Sequence, residues 1–228
     1  VKPETINAWE VGFKYDDRRL SLDLSAFYYD YKNLQVSLFL EGKANIINAA
    51  QSKIYGIDGA IRYELFNGFQ LSAGASWTHA RYKKFDIAPI YEPDPFTGNT
   101  PETGTGMFKV VLTQLNDVTM QRVPEFTANL GARYKTTVAD GELALSTNLY
   151  YTSTVHFGPS GVQFPQKGYE VLSARAQWTD PGNRYTVAVY GDNLTNNRYM
   201  TAVQYNTIGL GANWSQPTTY GIEVGVKF

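Results

Sequence analysis

The sequence predicts an all-β chain folded as part of a transmembrane antiparallel β-barrel. Apolar and polar residues alternate with period 2 in about nine segments. Aromatic residues gather toward the ends of the apolar faces, with small or branched aliphatics between them. Tight turns rich in Gly, Asn and Asp alternate with long connections. A strand sends successive side chains to opposite faces, so each segment has one apolar and one polar side. Half-apolar strands with aromatic ends and turns of alternating length are what a membrane barrel requires.

In 6–16, Trp9, Val11, Phe13 and Tyr15 oppose Glu10, Gly12 and Lys14. In 20–31, Leu20, Leu22, Leu24, Ala26 and Tyr28 oppose Ser21, Asp23 and Ser25. In 54–66, Tyr55, Ile57, Ile61, Tyr63 and Leu65 oppose Asp58, Arg62 and Glu64. In 69–82, Phe69, Leu71, Ala73, Ala75 and Trp77 oppose Gln70, Ser72, Gly74, Ser76 and Thr78. The segment 125–136 sets Phe126, Ala128, Leu130, Ala132 and Tyr134 against Thr127, Asn129, Arg133 and Lys135. The segment 142–154 sets Leu143, Leu145, Leu149 and Tyr151 against Glu142, Ser146 and Asn148. In 168–179, Leu172, Ala174, Ala176 and Trp178 oppose Ser173, Arg175 and Gln177. In 184–194, Tyr185, Val187 and Val189 oppose Arg184, Thr186 and Asp192. The closing segment, 220–228, has Tyr220, Ile222, Val224, Val226 and Phe228 on one face.

Asp16-Asp17-Arg18-Arg19, Asn67-Gly68, Ala139-Asp140-Gly141 and Asp180-Pro181-Gly182-Asn183 are the tight turns. The connections between them are expected as long loops over 37–51, 83–121, 155–167 and 196–216. Every tight turn then lies at one end of the sheet, with Phe228, and every long loop at the other. The stretch 84–106, with four prolines and three glycines, is expected as one outer loop with a short hairpin near 107–115. No boundary between domains is visible across 1–228.

Composition narrows the function. Lys and Arg number 20 against 21 Asp and Glu, so no basic surface for nucleic acid is expected. Without Cys there is no disulfide scaffold, thiolate site or Cys nucleophile. No apolar run approaches the ~20 residues of a spanning helix. That says nothing against a barrel, and the mean hydropathy of -0.32 is equally neutral. The chain opens at Val1 with no visible signal peptide, so it is expected to be part of a longer protein.

Little in the sequence suggests catalysis. The polar faces carry Asp23, Asp58, Glu64, Glu142 and Glu223 alongside Arg62, Arg133, Lys135, Arg175 and Lys227. Spread over different strands, these are expected to line a charged lumen rather than to form an acid–base pair. The two histidines, His79 and His156, lie toward the long-loop end. The candidate ligand-binding residues are loop aromatics: Phe39, Tyr91, Phe96, Phe157, Tyr205 and Trp214, with Phe108 and Phe164 beside them. Aromatics among scattered Asn and Gln suit a bulky chelate or a sugar, or pack among themselves.

Several stretches resemble the C-terminal half of TonB-dependent outer-membrane receptors. Pro3-Glu4-Thr5-Ile6-Asn7-Ala8-Trp9-Glu10-Val11-Gly12 is similar to a recurring strand opening of that family. Asn48-Ala49-Ala50 followed by Gly56-Ile57-Asp58 resembles another stretch of that family, and Val123-Pro124-Glu125 its entry to a strand. Asp192-Asn193-Leu194-Thr195-Asn196 with Tyr199 resembles its segment near the C-terminus, and Phe228 its terminal aromatic. The resemblance implies the last nine strands of a barrel of about 22, with the plug domain absent from this chain. It implies a site in the outer membrane of a Gram-negative bacterium, among its lipids, and assembly by the barrel machinery. That machinery would read Tyr220, Ile222, Val224, Val226 and Phe228. It further implies TonB coupling through the missing N-terminal region and import of a bulky small molecule, foremost a ferric siderophore. No reaction, resident cofactor or metal is implied. Carbohydrate, cobalamin or haem are the other cargoes, haem through a loop His. A passive porin, a barrel lipase and a soluble β-domain are the rival readings.

Overall fold

The computed structural model describes residues 1–40, 43–94, 108–158, 163–206 and 209–228. Side chains at 36–40, 43–45, 47, 49, 205 and 206 fall outside that description. Nine strands form an antiparallel meander: β1 (Thr5–Asp16), β2 (Leu20–Leu40), β3 (Lys43–Phe66), β4 (Phe69–Pro93), β7 (Phe126–Val138), β8 (Gly141–Thr152), β11 (Tyr169–Thr179), β12 (Tyr185–Asp192) and β15 (Thr219–Val226). These nine match the nine alternating segments of the sequence. Six shorter strands, β5 (Phe108–Leu115), β6 (Val118–Thr119), β9 (Val155–His156), β10 (Pro165–Gln166), β13 (Met200–Asn206) and β14 (Gly209–Trp214), all lie in the connections at the loop end.

The register joins the alternations into two continuous faces. Leu130 lies opposite Leu149, and Leu149 opposite Leu172. Further along, Leu145 faces Ala176, Ala176 faces Val189, and Val189 faces Ile222. This apolar face is bare. Val224 is 70% exposed and Ile222 75%, and no second sheet among the described residues covers them. Apart from Pro89, only eight apolar side chains are buried among the described residues. A soluble monomer of this mass would expose about 10,400 Å², whereas the chain exposes 14394 Å². A soluble sandwich would bury the face that this sheet leaves open.

Aromatics border that face at both ends. Toward the loops run Trp9, Tyr28, Tyr55 and Trp77, with centroids 5.7, 6.3 and 5.9 Å apart in succession. Toward the turns, Phe66, Phe69 and Tyr134 cluster, with Phe66 stacked on Phe69 at 5.1 Å. Trp178 donates its indole N–H to Val138 O at 2.8 Å, wedging the ring at the sheet's rim.

The turns follow from their residues. Ala139 and Asp140 both have positive φ, 51° and 59°, the two-residue hairpin conformation whose twist suits the flanking strands. Gly68 has φ 81°, and a Cβ there would strike Lys135 O. The Asp17 carboxylate accepts from the N–H groups of Arg19 and Leu20 at 2.7 and 2.8 Å. The Asp180 carboxylate does the same for Arg184 and Tyr185 at 2.6 Å, and for Gly182 at 3.1 Å. The Tyr185 N–H, foremost among these donors, holds the Asp180 carboxyl below the usual carboxylate range. A depressed folded value means the stabilisation exists above the unfolded carboxyl's pKa and is lost as pH falls through the folded one. We expect Asp180→Ala to remove hydrogen-exchange protection at Arg184 and Tyr185 at neutral pH. The native chain should lose the same protection only on acidification below about pH 4. Equal protection in both proteins at neutral pH would show that the carboxylate does not hold the turn.

The connections correct one expectation. Within the spans 37–51, 83–121, 155–167 and 196–216 the described residues include strands as well as loop. β2 and β3 continue as a ladder to Leu40 and Lys43, after a register shift between Tyr31 and Gln35. β4 runs on to Pro93 and pairs with β5, which realises the hairpin expected near 107–115. β9 with β10 and β13 with β14 supply two more hairpins. Beyond the apolar belt neither face needs to be uniformly apolar, so these extensions lose the alternation that marks the strands below.

Candidate functional site

Among the described residues, the buried apolar cluster lies at the loop end. Phe85 is fully buried there with Ala50, Tyr82 and Ala88, flanked by Leu34, Leu115, Val118 and Met120. This small core ties the β2–β3 extension to the β4–β5 hairpin.

A second set of contacts joins that hairpin to its neighbours. The Gln163 side-chain amide donates to Tyr91 O at 2.8 Å and accepts from Tyr91 N–H at 3.1 Å. It thus mimics a strand partner on the edge of β4 turned away from β5. In a strand, backbone groups two residues apart point the same way, so Pro89 and Pro93 share that open edge, where a missing N–H costs no ladder bond. His156 O accepts from Arg122 N–H at 2.8 Å. Gln166 Oε1 accepts from Met200 N–H at 2.9 Å. The short β9–β10 hairpin is therefore bonded to a neighbouring connection on each side.

Asn193 anchors the next connection. It is 6% exposed with φ 49°, a conformation Asn tolerates better than most residues. Its amide donates to Asn197 O and Gln216 O, both at 2.9 Å, and accepts from Asn197 N–H at 3.1 Å. Thr218 Oγ1 donates to Asn193 O at 2.7 Å. Tyr199, which follows, stacks on Tyr169 with centroids 3.8 Å apart and planes 8° from parallel. The Asp192–Tyr199 motif is thus a structural knot.

On the polar face, charges pair across strands as expected. Lys14 meets Asp23 at 3.1 Å, Lys135 meets Glu142 at 2.7 Å, and Arg175 grips Glu223 through both Nη atoms at 3.1 Å. Asp58 accepts from Ser76 Oγ. Nearer the loops, this face carries aromatics. Phe27 stacks on Tyr29 at 5.2 Å, and Tyr31 donates to Glu4 at 2.7 Å. The Gln35 backbone N–H, then the Tyr31 hydroxyl, hold the Glu4 carboxyl below its ordinary range. Farther along the sheet, on β8 and β11, Tyr150 and Tyr169 form a second aromatic bank on the same face. Between the banks lie Gly56, Thr78, Thr127 and Asn129, small or polar groups. At Gly56 a Cβ would come within 2.7 Å of Phe27 Cζ, so the tip of the ring occupies the space above the glycine. β2 to β8 is four ladder steps, about 19 Å.

The sequence reading did not assign Phe27, Tyr29, Tyr150 or Tyr169. The available signal was the runs Phe27-Tyr28-Tyr29 and Tyr150-Tyr151, since adjacent aromatics in a strand put one on each face. Of the loop aromatics, Phe157 is 6% exposed, Tyr91 is half-buried against Gln163, and Trp214 is exposed beneath the Arg198 guanidinium at 5.7 Å. Burial raises the Tyr91 phenol above its ordinary value. Phe39 and Tyr205 lie on β2 and β13, but their side chains are outside the described set, and Phe96 lies outside the described residues. His79 sits on the apolar face, its ring 4.8 Å from Tyr55. Its Nε2 accepts from Arg81 at 3.1 Å and its Nδ1 lies 3.4 Å from Glu125. Among the described residues no cluster of three or more His, Asp or Glu is placed to hold a metal.

Known proteins share this architecture. The ferric yersiniabactin uptake receptor FyuA from Yersinia pestis superposes with a TM-score of 0.74 at 19% identity, over 99% of this chain and 30% of that one. The siderophore receptor PiuA from Acinetobacter baumannii gives 0.71 at 18%, over 96% and 28%. The copper transporter OprC gives 0.68 at 13%, over 100% and 31%. The chain spans about a third of the length of these structures. At such identities the likeness establishes the fold of the nine-stranded sheet as a piece of that barrel. The family model described as "TonB dependent receptor-like, beta-barrel" matches residues 1–194, and this chain belongs to that family.

Proposed function

We propose that this chain is the C-terminal part of a Gram-negative outer-membrane receptor that binds an extracellular ferric siderophore and imports it with TonB-coupled energy. The observation that carries the reading is the two-faced sheet: a bare apolar belt between aromatic borders, backed by a charged inner face that pairs with itself. Receptors named for ferric yersiniabactin and for siderophores share this barrel segment, which supports an iron chelate as cargo. The cargo would rest between the banks of Phe27 with Tyr29 and Tyr150 with Tyr169, beneath hairpins that carry Tyr91 and Trp214. Phe39, Phe96, Phe157 and Tyr205 belong to the same proposal. A flat chelate gains stacking from the banks and hydrogen bonds from the polar strip between them. Coupling to TonB is part of the same proposal.

The test is uptake of radiolabelled iron by cells that depend on the full-length receptor. Uptake of one ferric siderophore class should require both the receptor and the proton-motive force. Uptake that survives collapse of that force would indicate a passive porin. The closing strand offers a second test. β15 ends in open apolar side chains, and Phe228 is fully exposed. The Lys227 N–H still donates to Arg184 O at 2.8 Å, so the ladder continues to the chain end. Deleting Phe228 from the full-length receptor is expected to slow assembly and raise degradation. Unchanged heat-modifiable mobility and surface yield would remove Phe228 from the insertion signal.

A further inference from the structure

Just beyond the loop-end aromatic border, the apolar face becomes cationic. Tyr28, Tyr55 and His79 face one another across β2, β3 and β4. One alternation step farther out, Asp30, Lys53 and Arg81 occupy the same face in the same register. Lys53 therefore stands directly opposite Arg81. Like charges directly opposite one another destabilise a ladder, and the one carboxylate in the row, Asp30, stands opposite Lys53 on its other side.

The carboxylates nearby are already engaged. Asp30 holds Lys32 at 3.4 Å, Asp117 holds Lys83, and Asp86 holds Lys84 at 3.1 Å. Glu125 sits beside His79. No carboxylate among the described residues comes within salt-bridge distance of Lys53 or Arg81. Arg81 is nonetheless held in place. Its Nε–H donates to His79 Nε2 at 3.1 Å, and its Nη1 donates to Asp117 O at 2.7 Å. The guanidinium is thus oriented through a ring nitrogen and a backbone carbonyl, with the Asp117 carboxylate in its field but beyond ion-pair distance, and it stands opposite Lys53 in the ladder.

We propose that Lys53 and Arg81 form a binding site for the phosphate of an outer-leaflet lipid headgroup. Charge and depth select this occupant together. Two residues along a strand are about 7 Å, so the pair lies one headgroup's depth above the aromatic row that marks the interface. The same face continues directly below as Ile57 and Trp77. An anion carrying acyl chains can satisfy both cations while its chains cover those side chains. A free anion would leave the apolar surface beneath it bare. The site is independent of the cargo proposed above and needs only the membrane placement of the sheet.

The experiment uses the full-length receptor in phosphatidylcholine nanodiscs doped with bisphosphorylated lipid A or with its dephosphorylated form. Lipid retained through gentle detergent extraction is counted by native mass spectrometry. The native receptor is expected to retain the phosphorylated form selectively. Lys53→Gln and Arg81→Gln should each cut that retention about fivefold, the effect of one basic residue near a charged lipid surface. Lys14→Gln, at the opposite end and on the other face, should leave it unchanged, and inorganic phosphate should not displace the lipid. Lys53 is exposed, so Lys53→Gln alone carries the test if the Arg81 variant fails to assemble. Equal retention of both lipids, or retention unaffected by Lys53→Gln, would overturn the site. Displacement by inorganic phosphate would overturn the lipid assignment in favour of a soluble anion.

Discussion

Replacing Ala73 by Arg in the full-length receptor is expected to destabilise the barrel by about 2–4 kcal/mol in a bilayer of ordinary thickness. Ala73 lies opposite Ile61 on β3 and Leu130 on β7, midway along the apolar face. It lines a shallow groove of about 520 Å³ whose walls include Leu71, Leu130, Leu149 and Leu172. A guanidinium there meets no carboxylate and no water. It must reach along the strand to a headgroup or thin the bilayer around itself. The fitting comparison is Ser76→Arg, because Ser76 faces Asp58 across β3 and β4 on the polar side. Ser72, next to Ala73, is a poorer control, since it lies opposite Arg62 and a new Arg would meet a like charge. We expect Ser76→Arg to cost less than about 1 kcal/mol. The Ala73→Arg penalty should shrink as the bilayer is thinned, because the charge then lies nearer an interface. A penalty independent of thickness would assign Ala73 to a protein core.

Asn193→Leu is the second large effect. The substitution keeps the side chain's size but removes two donated and two accepted hydrogen bonds at a site 6% exposed. It strands the Gln216 carbonyl and the Asn197 N–H, and leaves Asn197 O with only the Ser215 hydroxyl at 3.3 Å. It also places a γ-branched residue at φ 49°, where Asn is better tolerated. Each buried polar group left without its partner costs about 1–3 kcal/mol. We expect a loss of roughly 3–5 kcal/mol in local stability, from two such groups with strain added. Hydrogen exchange should show it as lost protection over 193–199 and at Thr218, with β7 and β8 unaffected. Retained protection in that segment would mean that backbone contacts alone hold the knot.

The spanning strands were legible because two constraints act on the same residues. A strand between lipid and a polar interior must alternate, and a tight turn must use Gly, Asn or Asp. The segment 125–136 therefore lies within two residues of β7, and 168–179 within one residue of β11. The ends pointing toward the loops carry no such signature. The stretch Lys83–Pro93 reads as a loop because it contains two prolines, yet it is strand. Pro89 and Pro93 are tolerated there because no strand among the described residues pairs with their edge of β4, which Gln163 caps at Tyr91. That contact spans 72 residues of sequence and leaves no local trace. The candidate site was legible only in kind. Aromatics were expected at the loop end, but assigning residues to loops hid those on strands. Phe27 and Tyr29 face inward from a strand whose lipid-facing Tyr28 drew attention to the other side.

The central claim is that the bare apolar face meets lipid. It is tested most directly by nitroxide labels at Leu145, Val187 and Val224 in the full-length receptor, reconstituted into bilayers. All three share that face, on β8, β12 and β15, and are exposed. Ser146, one residue from Leu145 on the opposite face, serves as the internal contrast. Oxygen concentrates in the hydrocarbon and a charged-complex nickel reagent stays in water. The three labels should be relaxed strongly by oxygen and weakly by nickel, with the ratio higher than at Ser146. Strong relaxation by nickel at Leu145, Val187 and Val224 would place the face in water and contradict the membrane barrel.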